Sequence, residues 1–211
     1  SELMEKEFLF TNDWFNITAK RNWQSLLPQV KPTKILEVGS FEGNSICFLA
    51  ENNDWCDELK VFCIDTWEGS IEHKERYLNM SEVEKRFDHN IELAQEISQK
   101  NIEVTKLKGF SDYHLSKLIS DGFANYFDFV YVDGSHQAPD VLLDAILAFK
   151  LVRVKGFIGF DDYTWYQNLP YGKAPTRCPK FAIDAFTNIY FRKLEIASSL
   201  NRQMYVQKIA E

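Results

Sequence analysis

The sequence predicts an α/β fold: a doubly wound, mostly parallel seven-stranded sheet with an antiparallel edge strand and helices on both faces. Three observations carry this. Apolar runs of strand length alternate with segments whose apolar residues recur at helical spacing, over most of the 211 residues. Such alternation implies crossover connections, and crossovers join parallel strands. Glycines and carboxylates gather at the ends of the strand-like runs, where sheets of this kind bind ligands.

The elements come in order. Residues 5–27 read as an aromatic-rich helical lead-in, broken near Asn12 and Asp13, and Pro28 and Pro32 bracket a turn. KILEV at 34–38 is a buried strand, followed by a glycine turn and a helix over 43–52. LKVFCID at 59–65 is the second strand. After an irregular stretch at 66–80, Val83, Phe87, Ile91, Ala94 and Ile97 recur at helical spacing within 81–100. A strand at 102–107, a helix at 111–120, a strand at 127–132, a helix at 139–149 and a strand at 156–160 complete the alternation. Residues 163–179 form a second irregular stretch with four aromatics, three prolines and Gly172. A helix at 181–189 and two closing strands, 191–196 and 203–209, pair antiparallel at the edge. The arrangement is Rossmann-like.

Bulk properties exclude several classes. Net charge is −7 with no dense Lys/Arg run, which argues against nucleic acid or an anionic membrane as partner. No apolar stretch approaches 18 residues and no signal-peptide pattern opens the chain, so the expectation is a cytoplasmic protein. Cys47, Cys56, Cys63 and Cys178 form no CxxC pair and read as free thiols in a reducing compartment. Charge is unevenly spread: residues 1–149 hold 14 basic and 26 acidic residues, and 150–211 hold 10 and 5. A solvated C-terminal face accounts for this, with a mildly anionic acceptor as the alternative. The aromatic lead-in offers a face for a homodimer.

EVGSFEGNS at 37–45 places two glycines four apart after the first strand. This is not GxGxxG, but Gly39 lets the backbone turn close to a ligand and Gly43 opens the helix. Asp65 ends the second strand, 22 residues after Gly43, where a carboxylate can accept both hydroxyls of a ribose.

On these residues the chain resembles the class I S-adenosylmethionine-dependent methyltransferases. ILEVGSFEGNS is similar to their motif I, in the ExGxxxGxS form of the small O-methyltransferases of the catechol and caffeoyl-CoA types. VFCIDTWEGS resembles a second motif, roughly DTWxGD, from which Ser70 departs. LKGFSDYHL resembles a third, in which the residue matching Ser111 meets the adenine. The resemblance spans about residues 34–162 and implies one methyltransferase domain over 1–211, with 1–30 as the lead-in and 66–80 and 163–179 as lids or acceptor walls. It implies that S-adenosylmethionine lies against Glu37, Gly39, Ser40, Gly43, Ser45, Asp65, Thr66, Trp67, Ser111 and Asp133.

VDGSH puts Asp133 at the end of the fourth strand with His136 three residues on, and FDDY puts Asp161 and Asp162 at the end of the fifth. Neighbouring strands bring these carboxylates together. Unpaired clustered carboxylates raise one another's pKa or hold a cation, and an all-oxygen set suits Mg²⁺ or another hard divalent ion. The match extends to the metal-dependent O-methyltransferases, where Asp133, Asp161 and Asp162 fall on the metal positions and GFDDYTW is similar to GYDNTLW. The catechol type has a catalytic lysine where His136 stands; macrolide-sugar O-methyltransferases are similar in using a histidine. The implied reaction is methyl transfer to a hydroxyl of a small sugar or phenolic acceptor, with His136 as general base beside Asp133 and Mg²⁺ assisting. Alternatives are a metal-independent or N-directed methyltransferase, a catalytically silent cofactor-binding module, and an NAD oxidoreductase, which the absence of GxGxxG disfavours. His73, His89 and His114 read as surface residues, and Asp128 and Asp140 as local structural groups.

Overall fold

A computed structural model describes residues 6–70, 73–74, 78–200 and 202–211. Part of the predicted 66–80 insertion therefore lies outside the described residues. Two helices, α1 (Trp14–Thr18) and α2 (Lys20–Val30), precede β1 (Lys34–Val38), α3 (Asn44–Asn52) and β2 (Glu58–Asp65). Then come α4 (Met80–Ile97), β3 (Asn101–Lys108), α5 (Ser111–Ser120), β4 (Phe127–Val132), α6 (Ala138–Leu151) and β5 (Val152–Phe160). A two-residue hairpin, β6 (Asn168–Leu169) and β7 (Gly172–Lys173), leads to α7 (Pro179–Ile189), β8 (Leu194–Ala197) and β9 (Met204–Lys208).

The main sheet has seven strands in the order β3-β2-β1-β4-β5-β9-β8. Strands β1 to β5 are parallel. The antiparallel element predicted at this edge is the β8–β9 pair: β9 runs against β5, and β8 runs against β9. Period-2 alternation sends successive side chains to opposite faces. Leu36, Val38, Val130, Val132, Ile158 and Phe160 meet α5, α6 and α7 on one face. Ile35, Phe129, Tyr131 and Tyr205 meet α2, α3 and α4 on the other. Trp23 of α2 anchors that second face, edge-on to Phe129 at 5.3 Å and to Tyr131 at 5.1 Å. Full burial of such rings contributes roughly 1.5–3 kcal/mol each. The lead-in's aromatics Phe15 and Trp23 thus pack on their own chain.

Three expectations are corrected. Residues 6–13 are not helical; they form an arm whose backbone groups are taken by side chains instead of by a helix ladder. Leu9 exchanges two hydrogen bonds with the Asn90 amide, and Thr11 donates both its N–H and its hydroxyl to Glu42. Pro28 does not bracket the turn: it lies inside α2, in its last turn, and the helix ends on Lys31 in the left-handed region (φ 50°), whose N–H bonds to Leu27 O. Finally, β5 starts at Val152, four residues early, because a register shift around Lys155 (φ 71°) and Gly156 hides its first half from a simple apolar count.

Candidate active site

The C-terminal ends of the five parallel strands share one edge of the sheet, and the order reverses between β1 and β4. That crevice receives every predicted site segment. The strand ends stay tied: Gly39 N donates to Ile64 O (2.8 Å), Asp133 N to Val38 O (2.8 Å), Asp161 N to Val132 O (3.1 Å) and Gly109 N to Asp65 O (2.9 Å).

Gly39 is required by sterics. Its φ is 89°, and an added Cβ would stand 2.0 Å from the Asp133 carbonyl oxygen. The loop then returns through Gly43 (φ 76°), which caps α3, with Gly43 N donating to Ser40 O at 2.8 Å. The open N-terminus of α3 points its backbone N–H groups into the crevice edge. Beneath the loop, Glu37 is buried and accepts the Ser45 hydroxyl. Burial pushes its carboxyl up to about 7.

Asp65 locks two loops together. One oxygen accepts Phe41 N and the other Trp67 N, each at 2.9 Å. Both donors sit at positive φ, 48° for Phe41 and 50° for Trp67, a conformation that persists only where neighbours enforce it. The Trp67 indole donates to Phe41 O (2.9 Å) and packs on Phe87 at 4.7 Å, so its ring belongs to the core. Thr66 accepts Glu68 N locally. Ser111 opens α5 and donates to Asp144 (2.7 Å), a buried carboxyl that burial raises to about 7. Gly39, Gly43, Asp65, Thr66 and Ser111 therefore surround the crevice, while Glu37, Ser40, Ser45 and Trp67 form a buried layer beneath its loops.

Asp133, Asp161 and Asp162 each offer an oxygen within 4.8 Å of the others. Desolvation, then the charges of Asp161 and Asp162, hold Asp133 well above the usual carboxylate range. Asp161 is also raised, by burial and the charge of Asp162. Asp162 itself stands at φ 57°. His136 Nε2 lies 2.7 Å from Asp162 Oδ2, and its ring stacks on Trp165 at 4.0 Å. A donor set made only of carboxylate oxygens, two of them from side chains whose proton affinity burial and neighbouring charge raise, fits a hard divalent cation.

Sequence reading missed the support of this cluster. Gln203, just before β9, donates to Asp161 Oδ1 (2.9 Å) and to Tyr131 Oη (2.9 Å), and its carbonyl accepts from Asn22 (2.8 Å) and Tyr205 (2.6 Å). The signal was a glutamine directly heading an apolar strand. Asp128 accepts Thr33 N and Lys34 N and pairs with Arg153, fixing the entry to β1 at the far edge, as a local structural group should. His89 meets Glu7 O and His114 meets Lys108 O, both away from the carboxylates.

A glycine loop at the ends of β1 and β2, with a carboxylate cluster and a bonded histidine at the ends of β4 and β5, is an arrangement of the class I methyltransferase architecture. Residues 36–163 match the model of the family described as "Methyltransferase domain", and the chain belongs to that family. An uncharacterised protein, R132 of Acanthamoeba polyphaga mimivirus, is 26% identical over 137 residues, 64% of this chain and 53% of that protein. "Probable caffeoyl-CoA O-methyltransferase 3" of Dictyostelium discoideum is 28% identical over 142 residues, 67% of this chain and 48% of its own. The chain thus spans about half the length of these curated relatives. Among solved structures, an O-methyltransferase from Bacillus cereus in complex with SAH superposes with a TM-score of 0.61 at 18% identity, over 99% of this chain and 92% of that one. The O-methyltransferase TomG from Streptomyces achromogenes, in complex with SAM, gives 0.61 at 17% identity, over 90% and 79%. Both share the fold.

Among the described residues, no helix is long and apolar enough to cross a membrane. Cys47, Cys56, Cys63 and Cys178 are free thiols.

Proposed function

We propose that this chain is an S-adenosylmethionine-dependent O-methyltransferase for a small hydroxylated acceptor, a sugar or a phenol. The observation that carries this reading is the Asp133–Asp161–Asp162 cluster, with His136 bonded to it, at the same strand ends as the Gly39–Gly43 loop. The solved relatives with SAH and SAM bound, and the caffeoyl-CoA relative, support it.

S-adenosylmethionine supplies the methyl group when bound. The Gly39–Gly43 turn leaves room for it, and Asp65 and Ser111 flank its nucleoside. Asp133, Asp161 and Asp162 would hold Mg²⁺, which lowers the pKa of an acceptor hydroxyl. Asp162 would turn to the cation and release His136 Nε2 from their 2.7 Å bond, and Nε2, the nitrogen that faces the carboxylates, would then receive the acceptor's proton. The negative charge of the cluster beside it stabilises the imidazolium that results. Holding both reactants in line contributes much of the acceleration.

A second reading has its own support. The His136–Asp162 bond engages Asp162 Oδ2, which favours a metal-independent reaction run by this dyad. Chelation separates the two. With the metal mechanism, EDTA lowers turnover of a catechol acceptor by at least about a hundredfold and Mg²⁺ restores it. An unchanged rate after exhaustive chelation would leave the dyad alone as the catalyst.

A further inference from the structure

The strap after Asp162 bears on the substrate class, an inference that rests on reading the His136 face as the acceptor site. From Tyr163 to Ile183 there is no acidic residue, in a chain that has 31, but there are Lys173, Arg177 and Lys180. The strap is a hairpin: β6 pairs with β7, Ala174 N donates to Gln167 O (2.8 Å), and Gln167 N donates to Arg177 O (3.2 Å). The outgoing arm carries Trp165 and Tyr166, and the return arm lays cations on them. Lys173 Nζ is 4.1 Å from the Tyr166 ring centre and Arg177 Cζ is 5.9 Å from that of Trp165. Trp165 is the ring stacked on His136, 4.0 Å away and 24° from parallel. The histidine and the guanidinium thus lie against one indole. A ring face positions a cation by attraction to its π-cloud. Lys180 lies over a different ring, 5.0 Å from the centre of Tyr163, and stands outside this set.

We infer that Lys173 and Arg177 form an anion clamp at the acceptor mouth, so that the methylated hydroxyl belongs to a molecule bearing a carboxylate or phosphate about one ring's width away. Arg offers a planar fork suited to either group, and Lys a point charge.

The test is calorimetry on the purified chain with S-adenosylhomocysteine and Mg²⁺ present. The probes share one catechol ring: catechol, the neutral 3,4-dihydroxybenzamide, and the anionic 3,4-dihydroxybenzoate and 3,4-dihydroxyphenylphosphonate. The clamp predicts that an anionic probe binds roughly tenfold or more tightly than either neutral one, and the tighter of the two anions names the group. Lys173→Gln, at an exposed position, and Arg177→Gln each shrink that preference. The double variant reduces it to about twofold while S-adenosylhomocysteine affinity holds. Equal affinities in the wild type, a preference that survives in the double variant, or no probe binding beside bound S-adenosylhomocysteine would each overturn the clamp. So would variants that change Mg²⁺ affinity alone, since the strap would then only balance the three carboxylates. Failure of the wild type to bind S-adenosylhomocysteine would instead overturn the proposed function.

Discussion

The two halves of the crevice are built on opposite principles. At the ends of β1 and β2, the loops are tied down within the chain: Asp65 accepts two backbone amides, the Trp67 indole donates to a carbonyl, and Ser45 donates to Glu37, while Glu37 Oε1 and Ser40 Oγ stay buried without a hydrogen-bond partner among the described residues. At the ends of β4 and β5, three carboxylates crowd together, and burial with neighbouring charge raises the proton affinity of Asp133 and Asp161. The first half has its loops locked by its own residues and offers a preformed shape. The second is left electrostatically short, so a cation, a proton or a substrate completes it. Fixed shape serves recognition of a cofactor, whereas unbalanced charge serves chemistry.

This contrast can be broken most directly at His136. His136→Ala should lower turnover by roughly a hundredfold to ten-thousandfold and leave S-adenosylhomocysteine affinity unchanged. A variant that keeps its full rate, measured in single turnovers, removes the base. Next in size, Asp161→Asn should act with two signs. Without metal it should raise the urea midpoint at pH 8, because one repelling charge is gone. It should also abolish the midpoint increase that Mg²⁺ gives the wild type. A loss of stability in both conditions would mean that the carboxylates are not in conflict.

Glu37 sharpens the comparison, since burial in the first half displaces its titration. Its pKa rises on folding from 4.5 to about 7, so its contribution to stability is complete below pH 4.5 and fades as pH climbs through 7. Asp144 behaves alike, from 3.8 to about 7. Glu37→Gln should flatten this decline between pH 5 and 8, by up to roughly 3 kcal/mol, in denaturation measured across that range. An unaltered slope would place the decline elsewhere. The smallest effect belongs to Trp67→Phe, which removes one hydrogen bond from the loop lock and part of a buried ring, at a cost of about 2 kcal/mol in urea denaturation. An unchanged midpoint would mean that neither the bond nor the ring supports the loop.

Much of this was legible in the sequence. The helix at Ser111–Ser120 and the strand at Phe127–Val132 fall where period alone put them, because each buries a regular face. The glycine loop and the carboxylates were readable because sterics and charge restrict those positions to few residue types. What escaped depends on partners distant in the chain. The arm at 6–13 is shaped by Asn90 and Glu42, Trp67 is drawn into the core by Phe87, and Asp161 is held by Gln203, 42 positions away. No local pattern encodes such pairs.

The reversed direction of β9 has a consequence for where the chemistry resides. A strand running against its neighbours begins where they end, so β9 delivers Gln203 beside Asp161 at its very start. The match to the family model stops at residue 163. The segment that matches the family model and the segment that steadies the reacting carboxylates are therefore different pieces of chain, and a fragment cut at the family boundary would keep the three aspartates and lose the amide that orients one of them.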